Sequence, residues 1–288
     1  MKRIAILGPG LLGGSIAMKL RRLGGFHVTM WGRRELAIKQ VEAAGCADIA
    51  TRDLDEAVKD ADLIVLCVPV GAMGKLARRV ARSIRPGTIV TDVGSVKTGV
   101  MKELGRIFRG TGRFVGSHPM AGSEKTGLKA ARTDLFDHTT CIVTRGCETD
   151  HTARPKVRAF WKRLGCRVVE MTASEHDDCV ALVSHLPHLL AAALVNTVEA
   201  ANPHGFNIVG PGFRDTSRVA SGPPEMWTEI LTENSGALIH EIDALIAKLR
   251  DFRNMLQVPG DKPKIRKFLA AAKKVRDRIK FPIFKNNG

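Results

Sequence analysis

Gly8-Pro9-Gly10-Leu11-Leu12-Gly13 has the GxGxxG spacing. It follows a short apolar run and opens an amphipathic stretch, the strand–turn–helix context in which this pattern binds dinucleotides. The first glycine permits the tight turn, the second lets a pyrophosphate approach the backbone, and the third lets the helix pack on the strand. The helix N-terminus then favours the diphosphate charge. A ligand-free glycine turn would read the same, so the context carries the weight. At the end of the next apolar run stands Met30-Trp31-Gly32-Arg33-Arg34-Glu35. An acid in the place of Arg33 and Arg34 would bond the adenosine ribose and repel a 2′-phosphate. Arginine instead forms charge-assisted bonds with phosphate. The expected cofactor is NADP, with NAD possible because Glu35 follows directly and paired arginines at a helix start can be merely solvated.

Other candidates stand where apolar runs end. Val68-Pro69 closes one, and Asp92-Val93-Gly94-Ser95-Val96-Lys97 the next. Ser95 and Lys97 at such an edge can hydrogen-bond a ligand, or Ser95 can simply cap a helix. Gly116-Ser117-His118-Pro119-Met120-Ala121-Gly122-Ser123-Glu124 holds a histidine on a constrained loop. Histidine titrates near neutrality and suits general acid–base work. His176, His185 and His188 recur further on. His185 and His188, three apart, share a helix face, and packing or polar contact with a substrate explains them better than a metal. In Gly212-Phe213-Arg214-Asp215-Thr216-Ser217-Arg218-Val219-Ala220, with Trp227 nine residues after Arg218, an arginine's planar fork suits a carboxylate; a salt-bridged surface arginine is the plain alternative.

The elements that must position these residues fall into two halves. Apolar runs at 4–7, 27–31, 63–68, 88–93 and 113–117 read as strands, and stretches near 11–23, 34–44, 71–84 and 97–108 as helices. Such alternation implies a parallel, doubly wound sheet of Rossmann type. Runs at 141–144 and 167–170, around a helix near 151–164, are expected to complete this half. After Met171 strands vanish. Thr172 with Glu175, or Ser174 with Asp177, fits a capping box; helix is expected to about Ala201 with a kink at Pro187. A Gly/Pro-rich stretch at 205–224 and a helix over roughly 225–256 follow. The expected domains are a dinucleotide-binding domain at 1–171 and an all-helical substrate and dimerisation domain at 172–288.

The 288 residues are 44% hydrophobic and 26% charged, enough apolar content to exclude a disordered chain. No unbroken apolar run reaches 18 residues, so no membrane span is expected; the longest candidate, Leu186–Val195, contains His188. The N-terminus lacks the long apolar region of a signal peptide. Six cysteines form neither CxxC nor zinc spacing and read as reduced thiols in a cytoplasmic protein. The net charge is +16, and 261–288 alone carries ten basic against two acidic residues. Such a tail is a solvated helix face or an interaction arm. Aromatic residues are only 5%, without a tyrosine, which argues against base stacking and makes nucleic acid an unlikely partner.

Together these segments resemble the prephenate/arogenate dehydrogenase family of tyrosine biosynthesis. The resemblance runs from Lys2 to about Leu256 and is carried by the motifs at 8–15, 92–97, 116–122, Ser184-His185-Leu186-Pro187-His188 and 213–220. The basic tail lies outside it. The resemblance implies a dinucleotide domain, a helical domain through which two subunits interlock, and an active site between them. It also implies oxidative decarboxylation of prephenate or arogenate. In that reaction His118 takes the ring hydroxyl proton, Ser95 hydrogen-bonds near that hydroxyl and the nicotinamide, and Arg218 anchors a carboxylate. Arg214, Asp215, His188, Glu124 and Trp227 fall around the substrate, and no metal is implied. Two alternatives remain open. A dehydrogenase of small β-hydroxyacids is expected to use a lysine of the second domain, where this chain offers histidines and arginines. A non-catalytic NADP-binding regulator would use the basic tail on nucleic acid.

Overall fold

The computed structural model describes residues 1–122, 125–146 and 149–279. In the first half, strands β1 (Arg3–Leu7), β2 (His27–Trp31), β3 (Ile49–Thr51), β4 (Leu63–Leu66), β5 (Thr88–Asp92) and β6 (Gly112–Val115) form one sheet in the order β3-β2-β1-β4-β5-β6. Every pairing in it is parallel. Helices α1 (Leu11–Leu23), α2 (Glu35–Ala44), α3 (Leu54–Val58), α4 (Val70–Val80) and α5 (Thr98–Ile107) make the crossovers. The central strands β1 and β4 are buried on both faces, as their Val/Ile/Leu content requires of a parallel sheet. Alternate residues of these strands enter two separate apolar clusters, one containing Ile4, Ile6 and Ile16 and the other Leu7, Ile64 and Met73.

The strand expected over 113–117 is two strands. The chain bends at Gly116, where a side chain would strike Met101 and Thr144, and β7 (Ser117–Pro119) leaves for a second sheet. There β7 runs antiparallel to β8 (Thr140–Thr144), which pairs in parallel with β9 (Arg167–Met171) across α6 (Arg154–Arg163). These last strands therefore build a separate three-stranded sheet instead of extending the large one. The bend is pinned by the Ser117 hydroxyl, which donates to the Asp92 carbonyl at 2.6 Å and accepts from Trp161 Nε1 at 2.9 Å.

In the second half, α7 (Ala173–Val180) starts at a capping box formed by Thr172 and Glu175. It passes through a wide π-type turn at Ala181–His185 into α8 (Leu186–Ala201), so the disturbance of the helix falls just before Pro187. Short helical turns and α9 (Pro211–Ser217) fill the Gly/Pro-rich stretch. The helix expected over 225–256 divides at Asn234 into α10 (Pro224–Glu233) and α11 (Ser235–Gln257). The basic tail forms α12 (Lys262–Arg276), with Phe268 against Phe252 of α11.

The expectation about membrane length needs correction. Ala173–Ala201 is a continuous 29-residue helical stretch, long and apolar enough by length and composition to cross a bilayer. Its histidines interrupt an unbroken apolar run without lowering the average much. All three, His176, His185 and His188, are buried inside the protein, while Leu182, Val183 and Leu190 are exposed.

The glycine turn separates packing from open space. A Cβ at Gly13 would land on the Gly8 carbonyl oxygen and press on Ile6, whereas one at Gly10 meets nothing within 4 Å. Gly13→Ala is therefore expected to cost about 1–3 kcal/mol, as overpacking does. Gly10→Ala should stay within about 0.5 kcal/mol of the parent, as surface changes do. Thermal melts of the two variants check this, with a clear drop in Tm for Gly13→Ala alone.

Candidate active site

A cleft of about 640 Å³ lies over the carboxyl ends of β1, β4 and β5 and is closed from the other side by the helical half. It sits where strand order reverses, between β1 and β4, the place where open α/β sheets bind ligands. Gly10, Leu11, Val68, Pro69, Gly94 and Ser95 line one wall; His185, Arg218, Val219 and Trp227 line the other. Gly10 is the N-cap of α1, and no side chain caps that helix, so its first amides are available to an anion at the cleft. With open space over Gly10 and tight packing at Gly8 and Gly13, this wall has the shape a dinucleotide diphosphate needs. The residues fit such a cofactor.

Behind the cleft lies a buried ionic network. Asp92, at the end of β5, accepts from the Gly94 amide at 2.8 Å, the Ser117 amide at 3.0 Å and Lys97 Nζ at 2.5 Å. Lys97 and Asp92 are both fully buried. Lys97 is thus turned inward, away from any ligand, which corrects the expectation that it serves one. Ser95 does not cap α5 either: Lys97 occupies the N-cap position. Two α5 amides, of Lys97 and Thr98, are instead capped by the carboxylate of Asp177 on α7, at 2.7 and 2.8 Å. That carboxylate also meets His176 Nδ1 at 2.7 Å, and His176 Nε2 lies 2.8 Å from His118 Nδ1. His118, from β7, lines the cleft.

Electrostatics follow burial. Desolvation, with His176, Lys97 and His185 adding repulsion, holds His118 well below the usual histidine range. Desolvation also lowers His176, partly offset by Asp177. Burial would raise Asp177, but its hydrogen bonds from His176, Thr98 and Lys97 prevail and keep it below the ordinary value. His185 is pushed down to about 4, chiefly by burial. Its Nδ1 faces Asn234 Nδ2 at 3.2 Å, and the same Nδ2 donates to the Asp177 carbonyl at 2.8 Å. Since the amide nitrogen only donates, neutral His185 carries its proton on Nε2 and is a donor.

The predicted residues divide by position. Gly10, Leu11, Leu12, Val68, Pro69, Ser95, His118, Arg218 and Trp227 line the cleft; Gly8 and Gly13 support its floor. His188 stacks flat on Trp227 with ring centroids 3.6 Å apart, and its Nδ1 is buried without a hydrogen-bond partner. Arg33 and Arg34 are exposed beyond β2, outside the cleft lining. Arg214 and Asp215 pair with each other at 3.3 Å on the exposed side of α9 and do not reach the cleft. Glu124 lies outside the described residues. Sequence reasoning missed Asp92, Asp177 and Asn234 and gave His176 no role. The one local signal was His176-Asp177 directly after a capping box. Among the described residues, no group of three or more His, Cys, Asp or Glu side chains could hold a metal ion.

Comparisons with known proteins agree with this architecture. Residues 16–170 match the model of the prephenate dehydrogenase nucleotide-binding domain, and residues 172–271 that of the prephenate dehydrogenase dimerization domain. The second match extends into the basic helix α12, past the point where the motif resemblance stops. A cyclohexadienyl dehydrogenase of Zymomonas mobilis is 35% identical over 260 residues, 88% of each chain. A prephenate dehydrogenase from Aquifex aeolicus, solved with hydroxyphenyl propionate and NAD+, superposes with a TM-score of 0.91 at 29% identity, covering 97% of this chain and 99% of that one. An arogenate dehydrogenase from Synechocystis gives 0.82 at 29% identity, covering 96% and 99%. With its two-part architecture, its glycine cradle and both family models in sequence, the chain belongs to the prephenate/arogenate dehydrogenase family and is an NAD(P)-dependent oxidoreductase.

Proposed function

We propose that this enzyme oxidises prephenate with His118 as the base, Ser95 as a hydrogen-bond donor beside it, and Arg218 as the carboxylate anchor. The observation that carries the reading is a neutral, buried imidazole at the cleft with its Nδ1 engaged behind it, facing a wall that contains an arginine. A dinucleotide held over the glycine turn at 8–13 would supply a nicotinamide as hydride acceptor for the substrate ring. The protein's part is to receive the ring hydroxyl proton at His118 Nε2 and to hold the two carboxylates. Departure of the ring carboxylate as CO2 leaves an aromatic ring, so little further driving force is needed from the protein. His185, a neutral donor in the same wall, complements the acceptor on His118. Trp227, fixed by its stack on His188, gives the ring an apolar face.

Prephenate is favoured over arogenate by the charges on the described lining. Lys125 and Arg218 supply cations there, and Glu229 is the acid. Among the described lining residues its carboxylate is the one acid that could meet an arogenate ammonium, and it already accepts from the Gly71 amide at the start of α4. For the cofactor, Glu35 is drawn to Lys39 at 3.1 Å and Arg52 at 3.8 Å. Arg33 and Arg34 then dominate the edge beyond β2, which supports NADP. We further propose a homodimer: Leu182, Val183, Ile239 and Leu249 expose apolar surface on the helical half, and a second copy covers it. An assay of both substrates with both cofactors tests these choices together; faster turnover of arogenate with NAD overturns both.

Four variants test the roles. His118→Asn should lower kcat by about 10²–10⁴-fold, the usual contribution of a general base, with substrate KM within a few-fold. Because the neutral form is the active one and burial holds His118 well below the usual histidine range, activity should hold from neutral pH downward and fail only as His118 protonates. Arg218→Ala should raise substrate KM at least about tenfold, since an unpaired buried carboxylate is costly, and leave cofactor KM unchanged. Arg218→Lys should recover only part, lacking the bidentate fork. Converting Arg33 and Arg34 together to Ala should weaken NADP about tenfold or more, from lost bonds to a charged group, and spare NAD; equal losses exclude a phosphate clamp.

A further inference from the structure

We infer that His176 and Asp177 form a proton-holding pair behind His118: as His118 gains the substrate proton at Nε2, it passes its Nδ1 proton to His176, which Asp177 stabilises as a cation. The inference rests on the reading of His118 as the base and goes beyond it to where the proton resides.

The direction of every hydrogen bond in the chain is fixed from one end. The amides of Lys97 and Thr98 can only donate, and each ends on an oxygen of Asp177. Asp177 is therefore an ionised acceptor, and His176 Nδ1, 2.7 Å from its Oδ1, must carry a proton. Neutral His176 then presents a lone pair at Nε2. Two lone pairs do not face each other at 2.8 Å, so His118 Nδ1 carries a proton and its Nε2 is bare. That is the tautomer a base needs at the cleft.

The transfer balances. The substrate O–H bond breaks and an Nε2–H bond forms on His118; the Nδ1–H bond of His118 breaks and an Nε2–H bond forms on His176. His118 ends neutral in its other tautomer, and the positive charge rests on His176 against Asp177. The groups facing the pair make this the better seat. Lys97 and Asp92 come from the β5–α5 segment, His185 from the π-type turn, and Cys141 of β8 meets the His118 backbone. Lys97 repels a proton on either ring, but among the described residues only His176 has a carboxylate in contact. His176 is accordingly a positioning residue that acts through His118.

His176→Gln tests this in the full-length enzyme. Glutamine keeps a carbonyl that can accept from His118 Nδ1 but has no nitrogen to take a proton. With prephenate, kcat should fall at least about tenfold, part of what a general base contributes. Both KM values should stay within about threefold, and the acid limb of the kcat profile should move. Ring nitrogen NMR of the wild-type protein at neutral pH should show His118 protonated at Nδ1 and bare at Nε2. Wild-type kcat and pH profile in His176→Gln, or an Nε2-protonated His118, overturns the inference. If the variant does not fold, the tautomer spectrum decides alone. An inactive His118→Asn beside a normal His176→Gln removes only the pair, whereas an active His118→Asn removes the base itself.

Discussion

The carboxylate of Asp177 joins the two halves of the molecule. It belongs to α7 of the helical half, yet it caps α5 of the sheet half through the Lys97 and Thr98 amides. A negative charge at a helix N-terminus is stabilised by the macrodipole and by orphan amides. The same group orients His176, and through it His118, while its backbone carbonyl holds Asn234, which faces His185. Displacing Asp177 would therefore disturb α5, His118 and His185 of the opposite wall together. Placing one residue at this junction makes the geometry of the cleft a consequence of domain docking.

The charge of the buried cluster also follows from this arrangement. Lys97 carries one positive charge, and Asp92 and Asp177 each carry one negative charge. The lowered histidines His118, His176 and His185 are neutral at pH 7. The cluster thus stands one charge negative, and uptake of a single proton neutralises it. A buried ion pair is not in itself a gain in stability, because desolvation offsets attraction. Lys97 and Asp92 make better sense as a fixed field. The amides of Gly94 and Ser117 and the Lys97 ammonium all donate to Asp92, and the same ammonium raises the cost of protonating His118.

Much of this was legible locally. The glycine turn, the strand–helix alternation and the Thr172–Glu175 cap depend on neighbours in sequence, and His118 was marked by its own constrained loop. The missing parts are contacts between distant segments. His118 and His176 are 58 positions apart, and Lys97 and Asp177 are 80; spacing cannot show that they meet. Lys97 looked like a ligand contact because its motif lies at the sheet edge, but its side chain turns toward Asp92. The bend at Gly116 was hidden by a run of strand-forming residues continuing across it. Arg214 and Arg218 stand four apart, a helical spacing, yet α9 ends at Ser217 and Arg218 alone of the two lines the cleft.

The helix from Ala173 to Ala201 shows why composition alone misleads here. Its buried side carries His176, Asp177, His185 and His188, polar groups that an apolar environment tolerates only when they are partnered. Three of them have partners in the network: His176 with Asp177 and His118, and His185 with Asn234. His188 is covered by Trp227, with Gly222 so close that a side chain there would strike both rings. The helix thus turns its polar residues inward and leaves Leu182, Val183 and Leu190 outward, the reverse of an isolated soluble helix. That inversion suits a helix with two packed faces: the cleft with its chemistry on one, and on the other an apolar surface that a second copy would cover.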